Sequence, residues 1–153
     1  MQLTLFSDYS LRILLYLTAN PERRVPLPEI SAAYGISQNH LVKVVQCLIE
    51  AELIESVRGR GGGLRLARAP ADINVAAVVK RTEPHLNLVE CFEKKTNTCP
   101  IEPACGLKSA LLKAQDAFFA ELERYTLADF APRAPALIKL WGRQLGARAK
   151  LAE

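Results

Sequence analysis

The stretch from Leu27 to Arg68 narrows the possible folds more than any other part of this chain, because three signals occur in it in a fixed order. "LPEISAAYG" reads as a short helix, with Pro28 in its first turn and Gly35 closing it. Ser37 then offers an N-cap, and Leu41, Val44, Val45 and Leu48 recur at the spacing of one helical face. A short helix, a glycine turn and a second amphipathic helix make a helix-turn-helix. In the continuation "LIESVRGRGGGLRLAR", two alternating segments, Leu53 to Arg58 and Leu64 to Arg68, flank a turn built from Gly59, Gly61, Gly62 and Gly63. A hairpin placed there is a wing. The expected class is mainly α with a small β-hairpin: a winged helix-turn-helix.

The polar side of the second helix carries Gln38, Asn39, His40, Lys43 and Gln46, side chains able to reach base edges and phosphates in a major groove. Gln38, Asn39, His40 and Lys43 are the candidate base contacts. Arg58, Arg60, Arg65 and Arg68 crowd the hairpin, with no acidic residue between Arg58 and Arg68. Arg58 and Arg60, at the glycine-rich tip, are the candidate backbone or minor-groove contacts on double-stranded DNA. Each part alone has a bland reading, a solvated helix face or an ordinary Gly-rich turn; the ordered combination carries the signal. A net charge of +4 and a pI near 9.0 permit a polyanion partner without demanding one. A nucleotide-binding glycine loop is disfavoured, since no Lys-Ser or Lys-Thr follows the glycines and no helix begins there.

The flanks complete the plan. From Ser7 to Ala19 apolar residues cover most of a helical circumference, which predicts a helix buried on more than one side; Asp8 and Arg12, one turn apart, are its notable polar residues. "INVAAVVKRTEP" predicts a short helix ended by Pro84. "LKSALLKAQDAFFAELERY" sets Leu107, Leu111, Ala114, Phe118, Leu122 and Tyr125 in a stripe of three- and four-residue steps. A helix of roughly 20 residues spans about 30 Å, more than a small winged domain can cover, so it is expected to pair with its twin in a homodimer. The alternative is that the stripe packs on the first helix of its own chain. The plan is then 1–70 for the winged domain, 71–106 for a connecting helix and cysteine loop, and 107–153 for a dimerisation helix and tail, the tail forming a short helix and a basic frayed end.

At 153 residues, half of them hydrophobic, the chain can bury a core without cross-links. Its first residues lack a basic start and a small-residue cleavage site, and no window has the length and polarity of a membrane span, so a cytoplasmic protein without membrane contact is expected. No paired carboxylate site, Cys-x-x-Cys or nucleophile elbow suggests an enzyme, and His40 and His85 are the only histidines.

Three of the four cysteines fall in "ECFEKKTNTCPIEPACGLK", a loop broken by Pro100 and Pro103. Seven residues separate Cys91 from Cys99, and five separate Cys99 from Cys105. In a reducing compartment grouped thiols bind metal or sense redox change more often than they staple a fold. Structural zinc asks for closer pairs and four good ligands. An iron–sulfur cluster tolerates wider spacing and one non-cysteine ligand, and Lys94, Lys95 and Lys108 favour the thiolate forms. A cluster therefore reads ahead of zinc, with a redox thiol pair third. Cys47 stands apart on the second helix of the motif, as a small core or boundary residue.

Taken together, "LTLFSDYSLRILLYLT", "GISQNHLVKVVQCL", "VRGRGGGLRLA" and "CPIEPACGLKSAL" resemble the NsrR type of nitric-oxide-sensitive repressors, within the winged-helix iron–sulfur regulators that also include IscR. The resemblance covers about the first 130 residues. It implies a homodimer on an inverted-repeat operator, with a cluster held by Cys91, Cys99 and Cys105. It also implies that Asp8 reaches across as fourth ligand to the cluster of the other subunit, and that nitric oxide is the signal. A [4Fe-4S] cluster is implied first and [2Fe-2S] second. IscR-like members carry a histidine three residues after the last cysteine, where this chain has Lys108. The remaining alternatives are an IscR-like regulator of iron–sulfur or redox homeostasis and a zinc- or thiol-based regulator.

Overall fold

The computed structural model describes residues 2–151, in the order of three helices, a hairpin and three more helices. Helix α1 (Leu5–Thr18) is the axle. Thr4 caps it by accepting the Ser7 N–H at 3.2 Å, and Asp8 places negative charge in its first turn. Its Ile13, Leu14, Tyr16 and Leu17 are all buried. So are Ser10 and Thr18, which satisfy their hydroxyls on the carbonyls of Phe6 and Leu14, each at 2.8 Å.

Helix α2 (Leu27–Tyr34) ends where Gly35 turns left-handed at φ +70°, a conformation that leaves the Ile36 N–H free to reach the Ser31 carbonyl. Ser37 then caps α3 (Gln38–Glu50), which buries Leu41, Val44, Val45 and Leu48 as its periodicity predicts. Strands β1 (Ile54–Val57) and β2 (Gly63–Leu66) pair antiparallel, with Ile54 opposite Leu66 and Val57 opposite Gly63. They are shorter than the sequence suggests. Leu53 gives its N–H back to Leu48 at the end of α3, and Arg58 already belongs to the tip. Val25, in the link before α2, exchanges both main-chain hydrogen bonds with Leu64, at 2.9 and 2.8 Å. The wing sheet thus gains a third, one-residue strand.

Helix α4 (Val75–Thr82) packs on α1 and stops where Glu83, preceding Pro84, is held extended. After the cysteine loop comes α5 (Gly106–Glu123), then a 3-10 segment (Leu127–Arg133) and α6 (Ala134–Leu151). The chain's end is more helical than expected: α6 is 18 residues long, and the last of the expected frayed residues, 152 and 153, lie outside the described residues. The core does not stop at the wing. Ile73, Val78, Leu127 and Trp141 join α1, α2 and α3 in one cluster. Trp141 lies with its ring centre 4.4 Å from Tyr16 and 5.6 Å from Tyr34, so α6 docks across α1 and α2.

Helix α5 is the exception. Its C-terminal end is tied to α4 by Lys80–Glu123 at 2.7 Å and by Asn74 donating to the Glu123 carbonyl. Yet none of its residues is buried, Leu107 is 64% exposed, and the stripe of Leu107, Leu111, Ala114, Phe118, Leu122 and Tyr125 is left uncovered or half-covered. No helix among the described residues is long and apolar enough to cross a membrane.

Candidate functional site

The reading head follows from the capping of α3. Because the buried face of that helix is filled by four aliphatic residues, Gln38, Asn39, His40, Lys43 and Gln46 are all turned to solvent. The N-terminal half of the helix, where bases would be read, contains no acidic residue in its first turn. Cys47 is half-buried on the same helix, in keeping with a boundary residue.

At the wing tip, Gly59 and Gly61 take φ of +94° and +75°, which only glycine adopts without strain, and the Gly62 N–H closes the turn onto the Gly59 carbonyl at 2.9 Å. A Cβ on Gly62 would meet the Val57 carbonyl oxygen at 2.2 Å. The glycine run is thus dictated by the turn itself. The arginines divide into two groups. Arg65 is paired with Glu55 and Arg68 with Glu52, at 3.3 Å for the latter, whereas Arg58 and Arg60 have no carboxylate partner among the described residues. Of these four, the two tip arginines keep a charge that no carboxylate of the described residues offsets.

Asp8 sits on the first turn of α1. Both oxygens of its carboxylate are engaged by Arg12, whose Nε donates at 3.0 Å and whose second nitrogen lies at 2.7 Å. The Arg12 guanidinium in turn lies 5.7 Å from the Tyr34 ring centre and 6.0 Å from that of Tyr9, and the Tyr34 hydroxyl donates to the Arg12 carbonyl. Tyr34 closes α2. Asp8 is therefore linked through Arg12 to the helix-turn-helix, a connection that the one-turn spacing of Asp8 and Arg12 suggests only in part. The same end of α1 borders the reading head: Leu5, Phe6 and Tyr9 line a cleft with Asn39, His40 and Lys43.

The cysteine loop is irregular, with 3-10 turns at Glu90–Phe92 and Glu102–Ala104. Glu90 holds it by accepting from the Thr98 N–H and hydroxyl at 2.6 and 2.7 Å, and the Cys99 N–H donates to Asn97. Cys91, Cys99 and Cys105 are half-buried and free of disulfides. Among the described residues no three Cys, His, Asp or Glu side chains stand close enough to hold a metal ion, so one chain does not by itself gather the predicted ligands. The donor set nonetheless suits an iron–sulfur cluster. Three unpaired thiols share one loop, and Cys105 stands at the N-terminus of α5, an end that favours negative charge. Lys108 is raised above its ordinary value, chiefly by its hydrogen bond to Glu102 and further by the nearby Cys91 and Cys105, against partial desolvation. Asp8 lies on another element, the first turn of α1.

The Rrf2 family profile, described as an iron-dependent transcriptional regulator, matches residues 3–133. The chain is 51% identical over 130 residues to the HTH-type transcriptional regulator NsrR of Halalkalibacterium halodurans, covering 84% of this chain and 89% of that one. It is 45% identical over 141 residues to the NsrR of Bacillus subtilis, covering 92% and 97%. Among solved structures it is similar to CymR, the global cysteine regulator of B. subtilis, with a TM-score of 0.71 and 26% identity over 86% of this chain and 97% of that one. T. potens IscR is similar with a TM-score of 0.68 and 27% identity, covering 88% of each chain.

Proposed function

From the premise that this chain belongs to the Rrf2 family of transcriptional regulators, and so is a DNA-binding regulator rather than an enzyme, we propose that it is a nitric-oxide-sensing repressor. The observation that carries the reading is its 45–51% identity, over most of its length, to relatives named NsrR. The proposed operator is an inverted repeat bound by a homodimer. The open stripe on α5 supports that assembly, because an 18-residue helix with no buried residue has its apolar side free for a second copy.

In this reading Cys91, Cys99 and Cys105 hold an iron–sulfur cluster, [4Fe-4S] rather than [2Fe-2S], and Asp8 of the partner subunit completes the ligand set. When bound, the cluster would supply iron able to bind nitric oxide, and the carboxylate of Asp8 would be a harder, more weakly held ligand than the three thiolates. Asp8 does the coupling. Engaged across the dimer, it would fasten one protomer's α1 to the other protomer's loop, while its own helix ties it to Arg12. Since α1 borders the reading head and Arg12 leans on Tyr34 of α2, a shift of Asp8 alters the spacing of the two α3 helices. Two such helices must lie about one turn of DNA apart, roughly 34 Å, so a small displacement takes both half-sites out of register. Gln38, Asn39, His40 and Lys43 read bases, and Arg58 and Arg60 hold the backbone or minor groove.

The test is an anaerobic titration with nitric oxide, followed by absorbance and run beside a gel shift on promoter DNA. Brown protein containing iron and acid-labile sulfide, releasing DNA as its absorbance changes, is expected. Iron-free protein that binds the promoter with full selectivity overturns the reading. The fold likeness to IscR and CymR favours an IscR-like or thiol-based regulator as the second reading, and metal analysis of the same preparation separates the cluster-bearing readings from the thiol-based one.

A further inference from the structure

We propose that Arg24 is a DNA phosphate contact, extending the interface from the wing tip to the link in front of α2. The inference rests on DNA binding alone and is independent of the cluster. Six arginines surround the wing sheet: Arg23, Arg24, Arg58, Arg60, Arg65 and Arg68. Three are neutralised in place. Arg23 binds Glu29 at 2.8 Å, Arg65 binds Glu55 and Arg68 binds Glu52. Arg58 and Arg60 belong to the tip already assigned. Arg24 is the remaining member, exposed and without a carboxylate partner among the described residues.

Its position is set by the backbone. Val25 is fully buried and locked to Leu64 by two main-chain hydrogen bonds, so the residue before it faces the opposite, solvent side of the sheet. The antiparallel pairing sets Arg24 across from Arg65 on that outer face. The approach is close because position 63 is glycine: at φ +147°, a Cβ there would come within 2.9 Å of the Val25 backbone. On its other side, Arg24 lies two residues before Pro26, the N-cap of α2. The first helix of a helix-turn-helix crosses the phosphate backbone while the second enters the groove. Arg24 is thus pinned between two elements that both approach the duplex, and it alone of the local pair keeps its charge, since Arg23 is committed to Glu29 and Asn20.

A phosphate contact carries no sequence information, so the experiment needs no operator. The full-length chain is titrated onto a random-sequence duplex of about 30 base pairs between roughly 50 and 200 mM salt, and log Kobs is plotted against log salt. Arg24→Ala is expected to reduce the slope by about 0.9 for each protomer on the duplex, with an unchanged melting temperature. Arg24→Lys retains the wild-type slope, and Arg23→Ala leaves it unaltered. An Arg24→Ala slope equal to wild type, or an Arg23→Ala slope that falls as far as that of Arg24→Ala, overturns the proposal.

Discussion

The Glu83 carboxylate accepts two hydrogen bonds from Thr4, one from its main-chain N–H at 2.8 Å and one from its hydroxyl at 3.1 Å. Beside it, the buried Thr82 hydroxyl donates to Ser7 at 2.8 Å. The end of α4 therefore clamps the start of α1, and the same end is the root of the cysteine loop. The helix that bears Asp8 and the root of the loop that bears the thiols are anchored to one another within this chain.

This clamp makes acid stability depend on Glu83. Partial burial alone would raise its pKa, but hydrogen bonding from Ser7 and Thr4, with His85 nearby, outweighs burial and holds the group below its ordinary value. A depressed folded pKa contributes stability that is complete above the unfolded value of about 4.3 and is lost as pH falls through the folded one. Glu83→Gln is expected to cost about 1–2 kcal/mol near neutral pH and to flatten the decline of stability below about pH 5. Urea unfolding at a series of pH values checks this, and parallel curves for the two proteins would refute it.

The docking of α6 should be visible through the single tryptophan. Trp141 is 8% exposed against Tyr16 and Tyr34 although most of its helix faces solvent. Trp141→Ala should destabilise the chain by about 3–5 kcal/mol, and Trp141→Phe by clearly less. Chemical denaturation followed by circular dichroism reads both, and a loss below about 1 kcal/mol would mean that α6 is not part of the cooperative core.

Dimerisation through α5 is tested by charge. Leu107→Asp, and separately Leu111→Asp, place a carboxylate on the open stripe without touching the buried cluster of α1 and α3. Both should shift the sedimentation coefficient toward monomer while helical content stays near wild type. A chain that still sediments as a dimer with either substitution would move the interface elsewhere.

Asp8→Ala separates coupling from folding. With the carboxylate half-exposed and engaged only by Arg12, its removal should leave the unfolding free energy of cluster-free protein, read by urea denaturation, within about 0.5 kcal/mol of wild type. In cluster-loaded protein the same change should alter DNA affinity and the rate of the nitric oxide reaction, measured by gel shift and stopped-flow absorbance. Identical affinity and rate would show that Asp8 has no part in the signal.

Much of this architecture could be read locally. The face of α3, its Ser37 cap, the Gly35 turn and the glycine tip follow from period, capping and φ preference, and each is found where those rules put it. The strand at Val25 could not be read, because one residue has no periodicity; it exists through its pairing with Leu64, 39 positions away. The length of α6 was also hidden, since its hydrophobic residues gain their meaning from Tyr16 and Tyr34. Likewise the four arginines of the wing look equivalent in sequence, and only cross-strand Glu55 and the neighbouring Glu52 separate Arg65 and Arg68 from the free Arg58 and Arg60.

Sequence alone determined the exposed polar face of α3, the glycine tip and the thiol inventory of this protein, because all three depend on interactions within a few residues, where helix period, turn conformation and side-chain chemistry leave few alternatives. Tertiary structure decided which charges stay free, where α6 docks, and that Asp8 leans through Arg12 on the helix-turn-helix. Those outcomes depend on hydrogen bonds and packing between segments far apart in the chain, which no local pattern encodes.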